Sequence, residues 1–275
     1  RERVPPSAAA GIFPMTRHLR IWWAFVKNCL AREMSFRLNF FLTLLTGSWW
    51  FLMSVLMFAV VFSHVNEIAG WTKYEVFFLL GASHVILRLF GTLFMNNLMQ
   101  LPQAITTGTL DFYLLKPVHP QFLVSTRYAS FEDLADTFIG FAMMAYAGWH
   151  LPIAASPANV AAFALLALNG VVLYYAIMFI SVTVSFWFLR FHMMDIWWQM
   201  TGIARNPAEI FRGKLLFIFT YCIPMLVIVN FPVKAYLHRL PWWQAAWGLV
   251  VSGALLVFSS WFFAFALRRY RSASS

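Results

Sequence analysis

The chain has 275 residues, of which 61% are apolar, 19% aromatic and only 11% charged, whereas an ordinary soluble domain carries roughly 25% charged residues. That excludes a soluble globular protein and leaves an all-α integral membrane protein, because a segment in lipid must satisfy its own backbone donors and acceptors over roughly 20 apolar residues. The net charge of +10 reads as membrane topology and contact with anionic lipid rather than nucleic-acid binding.

In chain order, residues 1–15 are expected to be disordered or a mis-assigned start, with Met15 as the true beginning, and no cleavable signal peptide is visible. Residues 16–38 read as an amphipathic interface helix. Leu19, Trp22, Trp23, Val26, Leu30 and Met34 recur at helical spacing, with Arg20, Lys27 and Arg32 on the other face. Residues 39–271 then form a transmembrane domain of six helices with both termini cytoplasmic. The first span is expected over 39–62 and the second over 75–98, the latter containing His84 and Arg88. An Arg inside a span faces protein, water or the interface, so Arg88 is read as a helix-pairing or snorkelling residue, or else as a substrate contact.

Residues 96–120, NNLMQLPQAITTGTLDFYLLKPVHP, are a polar island and the expected inner loop. A short helix ended by Gly108, with Leu110, Asp111, Leu114 and Leu115 after it, is suited to being gripped by another protein. The third span is placed at 131–151, with Glu132, Asp133 and Asp136 at its start; there they complement the helix dipole, the cation site or proton relay being the sharper alternative. A fourth span at 158–189 is longer than a membrane needs and continues inward, tilts or breaks at Asn169-Gly170. Residues 190–214 read as a second inner segment, 215–231 as a fifth span kinked at Pro224, 231–243 as a fold-back at the outer surface, and 244–267 as the sixth span, closed by Arg268, Arg269 and Arg271. So arranged, sixteen Lys and Arg fall inside and three outside, which orients the chain.

The chain has no phosphate loop, no His-Glu-x-x-His, no Cys-x-x-Cys and no Gly-x-Ser-x-Gly, and its seven histidines show no metal spacing. Cys29 and Cys222 suggest neither a disulfide framework nor a zinc site. No catalytic residue, metal ligand or cofactor is assigned to this polypeptide.

The basic interface helix, the island Ile105 to Pro117 with its Gly-x-Leu-Asp-x-x-Leu-Leu-Lys-Pro pattern, Asn206 to Phe211, Ile223-Pro224 and Asn230-Phe-Pro232 together resemble the membrane permeases of type-2 ATP-binding-cassette (ABC) exporters, in the small six-span bacterial branch. The resemblance covers most of 16–271. It implies a multi-pass protein of the bacterial inner (plasma) membrane, paired with a second permease chain as homo- or heterodimer. Two cytoplasmic ABC ATPases would hold the ATP and Mg, and export would run through the seam between permeases. It also implies a coupling helix near residues 98–107, so Leu98, Met99, Leu101, Pro102, Ile105, Gly108, Leu110 and Asp111 are the expected ATPase contacts. Apolar and aromatic residues of the first, second and fifth spans would line the pathway, namely Trp49, Trp50, Met53, Met57 and Met225, joined by Arg88. The expected cargo is hydrophobic or amphipathic, lipid-like or drug-like. The alternatives are an ion-coupled secondary transporter, which would show related halves and mid-membrane ionisable groups, and a membrane-embedded lipid-modifying enzyme using His119 with Glu132, Asp133 and Asp136.

Overall fold

The computed structural model describes residues 15–35, 37–153, 155–188 and 201–270. The expectation for 1–15 falls almost wholly outside them, as do Trp197 and Trp198 of the predicted second inner segment.

Helix α1 (Met15–Ser35) leads into α2 (Arg37–Val61). A two-stranded hairpin, Glu67–Ile68 with Trp71–Thr72, fills the loop to α3 (Lys73–Phe90). A π turn, Gly91–Met95, joins α3 to α4 (Asn96–Thr106), after which come α5 (Leu110–Leu114), α6 (Pro120–Thr126), α7 (Phe131–His150) and α8 (Pro157–Thr183). Beyond residue 200 follow α9 (Lys214–Phe217) with its π turn Ile218–Cys222, then α10 (Met225–Tyr236) and α11 (Trp242–Arg269).

Four described helices are long and apolar enough to cross a membrane: Phe40–Val61, Lys73–Thr106, Pro157–Phe186 and Trp242–Arg269. α7 belongs with them by packing. It runs antiparallel along α3, from Arg88 against Asp133 at one end to Tyr74 stacked on His150 at the other. The close approach needs glycine: a Cβ on Gly81 would lie 2.9 Å from the Gly140 carbonyl oxygen, and one on Gly140 3.0 Å from that of Gly81. Ser130 caps α7 by accepting from the Asp133 N–H at 3.2 Å, and Ser156 caps α8 through Asn159 N–H.

α3 is the centre of the molecule. Of its most apolar window 72% is buried, against 6% for α2, which rests on α7 and α3 along one narrow edge. Of the three alternatives for the long fourth span, the break at Asn169-Gly170 is absent: α8 runs unbroken, and Asn169 donates to the Gly248 carbonyl of α11. The described chain begins and ends on one side. Cys29 of α1 contacts the Arg127 carbonyl after α6, and Tyr270 after α11 packs on Phe186 beyond α8.

The expected fifth span at 215–231 is corrected. The helical segments Lys214–Cys222 and Met225–Tyr236 meet at 91° across Ile223-Pro224. Glu209, just before the pair, bonds Lys234 near its end at 2.6 Å, so both ends lie together and the pair is re-entrant. Pro224 reverses the path because a residue before proline is driven to extended geometry, and Ile223 has φ −123°, ψ 87°. Glu209 also accepts from Trp71 Nε1 at 2.7 Å, which puts it at the α2–α3 hairpin rather than on the island side where the sequence reading had it. Phe188 and Glu209 thus lie at opposite ends of the described helices. Arg212 and Lys214, expected on the island side, go with Glu209 to the other.

Candidate functional site

The α3–α4 unit spans 34 residues, about 51 Å at helical rise, against roughly 30 Å of hydrocarbon. α4 therefore projects from the membrane, and the island folds around it. Gly108, with φ 72°, ends α4 as expected. Pro102 does not set an end; it lies inside α4, whose start is the π turn, the kind of irregularity that recurs at functional positions.

The loop is bolted to the spans. The Asn97 side chain donates to Tyr128 O and accepts from Tyr128 N–H, both at 2.7 Å, tying α4 to the α6–α7 junction. Gln121 and Ser125 of α6 meet the Tyr175 hydroxyl of α8 at 3.1 and 2.8 Å, and Arg127 donates to the Tyr113 hydroxyl of α5. Leu98, Leu101, Ile105 and Leu110 are all at most 6% exposed. As apolar anchors offered outward these four are corrected: an amphipathic helix lying on its own spans spends its apolar face there. Met99, Pro102 and Asp111 are half-buried. Facing outward instead are Gln103, Thr106, Thr107, Thr109, Phe112 and Leu115, the last two 67% and 80% exposed.

One turn before the π turn, Arg88 holds two of the three acids of α7: Nη1 lies 2.6 Å from Asp133 Oδ1 and Nε 2.8 Å from Asp136 Oδ2. Asp136, almost wholly buried, also takes the Ser48 hydroxyl of α2 at 3.1 Å and lies 3.3 Å from His84 Nε2. α2 reaches this node because Gly47 has no side chain; a Cβ there would sit 2.5 Å from Arg88 Nη2. The carboxylates at the start of α7 thus join three helices, a role beyond the helix dipole. Arg88 was legible from sequence, while Gly47, Ser48 and His84 as its companions were not.

At the other end the re-entrant pair is pinned by Glu209 to Trp71 and Lys234, and Arg239 bonds Glu75 at 2.7 Å. Burial alone would raise the Glu209 pKa, but the hydrogen bond and charge of Lys234, with the Trp71 N–H, bring it below the usual 4.5.

Of the expected pathway residues, Trp49, Trp50 and Met57 are exposed on α2, and Met53 is half-buried beside them. Met225 is corrected: at 2% exposure it lies in the core, because α10 is packed between α8 and α3 rather than on an open face.

Helices that cross, a loop bolted to a protruding central helix and a re-entrant pair define a polytopic transport-type membrane domain. A family model described as "ABC-2 family transporter protein" matches residues 49–274, most of the chain. The protein belongs to that family, and so is a membrane subunit of an ABC transporter, a class that carries no ATP site of its own and works with an ATP-binding-cassette partner. Neither the curated proteins nor the solved structures gave a match.

Proposed function

We propose that the chain is the permease subunit of an ATP-driven exporter, moving a hydrophobic or amphipathic substrate across the bacterial inner membrane. A separate ATPase, which holds ATP and Mg, docks on the outward face of α4 and α5. The basic residues support a cytoplasmic island, and the permease has six crossings. A second permease chain, identical or related, covers the open face of α2, and Trp49, Trp50, Met53 and Met57 line the seam between them. Arg88, engaged by two carboxylates, orders that seam rather than touching cargo.

The observation that carries this reading is the island itself: its inner face is locked to α3, α6 and α8, while Phe112 and Leu115 stand in solvent beside Gln103, Thr106 and Thr107. Two exposed apolar side chains with a polar rim suit a small docking patch, and a rigid mount passes displacement to the spans. The test is co-purification from gently solubilised membranes with the C-terminus tagged. A nucleotide-binding subunit should accompany the wild type and be lost from Phe112→Glu/Leu115→Glu, both chains remaining folded. Retention of that subunit by the double variant would refute the docking face.

A further inference from the structure

Two sizeable cavities open between the described helices. The larger, about 960 Å³ between α3, α7, α8 and Tyr236 of α10, has no charged side chain in its wall. The smaller, about 490 Å³, lies where α1, α2 and α7 converge on the island side, and it differs in one respect. Its wall combines Phe40, Phe41, Phe131 and Phe138 with a carboxylate, Glu33.

Glu33 is poorly compensated where it stands. A carboxylate offers roughly four acceptor positions; its two oxygens share one backbone donor, the Phe131 N–H, at 3.2 Å each, and its side-chain hydrogen-bond neighbour is another carboxyl, Glu132. Among the described side chains, which do not include that of Arg37, no Lys, Arg or His nitrogen lies within 4.0 Å of it. Arg32, next in sequence, is stacked over the Tyr128 ring at 5.3 Å. Burial pushes the Glu33 pKa up, the Phe131 N–H works against that, and Glu132 adds negative charge that Arg32 only partly offsets; the result lies above the usual value. A carboxylate so placed gains from a proton or from a cation that brings its own apolar surface.

The remaining geometry favours the second. Ring faces attract cations, most strongly where water is excluded, and the volume falls in the range of roughly 300–1,000 Å³ typical of small-molecule sites. Phe138 lies seven residues further along α7 than Phe131, about 10 Å deeper at helical rise. The charge is thus at the membrane surface and the rings lead inward, the orientation of an amphiphile in one leaflet. We infer that this pocket binds cationic amphiphiles, a quaternary or protonated amine at Glu33 with its hydrocarbon tail along Phe41 and Phe138. Its place as an entry site beside α2 rests on the exporter reading; the binding itself does not.

The experiment uses the full chain in phosphatidylcholine nanodiscs, without ATP or ATPase, and measures equilibrium binding of radiolabelled dodecyltrimethylammonium. Saturable binding is expected, weakened roughly ten-fold by Glu33→Gln and only a few-fold by Glu33→Asp, with no competition from dodecyl sulfate. Gln still accepts from the Phe131 N–H, so the fold is kept, and a Glu33 that merely caps α7 would leave binding unchanged. Equal binding by Glu33→Gln, equal competition by the sulfate, or no saturable binding would overturn the inference. None of these results bears on ATPase docking, so the two readings fail separately.

Discussion

Arg88 shows how far a single residue can be read without its partners. Its charge inside an apolar run marks it as paired or functional, and the acids at 132, 133 and 136 are equally visible. What joins them is the antiparallel register of α3 and α7, fixed by Gly81 against Gly140, and register is a tertiary fact absent from any one segment. The node makes a firm prediction. Asp136 is 1% exposed and shared by Arg88, His84 and Ser48, so Asp136→Ala leaves the guanidinium short of a buried counter-charge. Because Asp133 still holds Arg88, a loss of about 2–3 kcal/mol is expected, read as a lower thermal midpoint in detergent. Asp136→Ala combined with Arg88→Met should recover part of it, because the guanidinium left one partner short is then gone as well. A single variant as stable as the wild type would mean that the network contributes nothing.

Hydropathy placed most helices well at the scale of the element. The spans expected at 39–62, 131–151 and 244–267 correspond to α2, α7 and α11 within a few residues. The failure at 215–231 has a physical cause: apolar composition reports that a segment avoids water, and a proline reports that its path bends, but neither distinguishes a kinked crossing from a reversal. Glu209 and Lys234, twenty-five positions apart with opposite charge, held the missing information. Because the Glu209 pKa is lowered on folding, its contribution is fully present above the unfolded value of 4.5 and is lost as pH falls through the lower folded value. Protection of Ala208 to Ile210 and of the Trp71 indole, measured as exchange relative to the unfolded chain, should therefore fall below about pH 4.5 and stay level above it. Glu209→Gln should exchange fast at every pH.

At the scale of the whole molecule the chain is lopsided. α3 is enclosed on nearly all sides, while α2 carries Phe41, Leu45, Trp49, Trp50 and Val60 on an open face, and the island presents a small apolar patch on a rigid mount. The sequence reading expected a partner to grip the island through the apolar face of its helix, and that face is buried against the spans. Leu98, Leu101, Ile105 and Leu110 look like anchors in a peptide, and only the packing of α4 onto α6 and α8 reveals that they are already spent. The most direct test of the proposed docking is photo-crosslinking in intact cells, with a benzophenone amino acid in place of Leu115 or Phe112, and in place of Trp242 as a control at the opposite end. The account predicts an adduct with a nucleotide-binding subunit from positions 115 and 112 and none from 242; absence of that adduct at both island positions while the chain is folded in the membrane would contradict it.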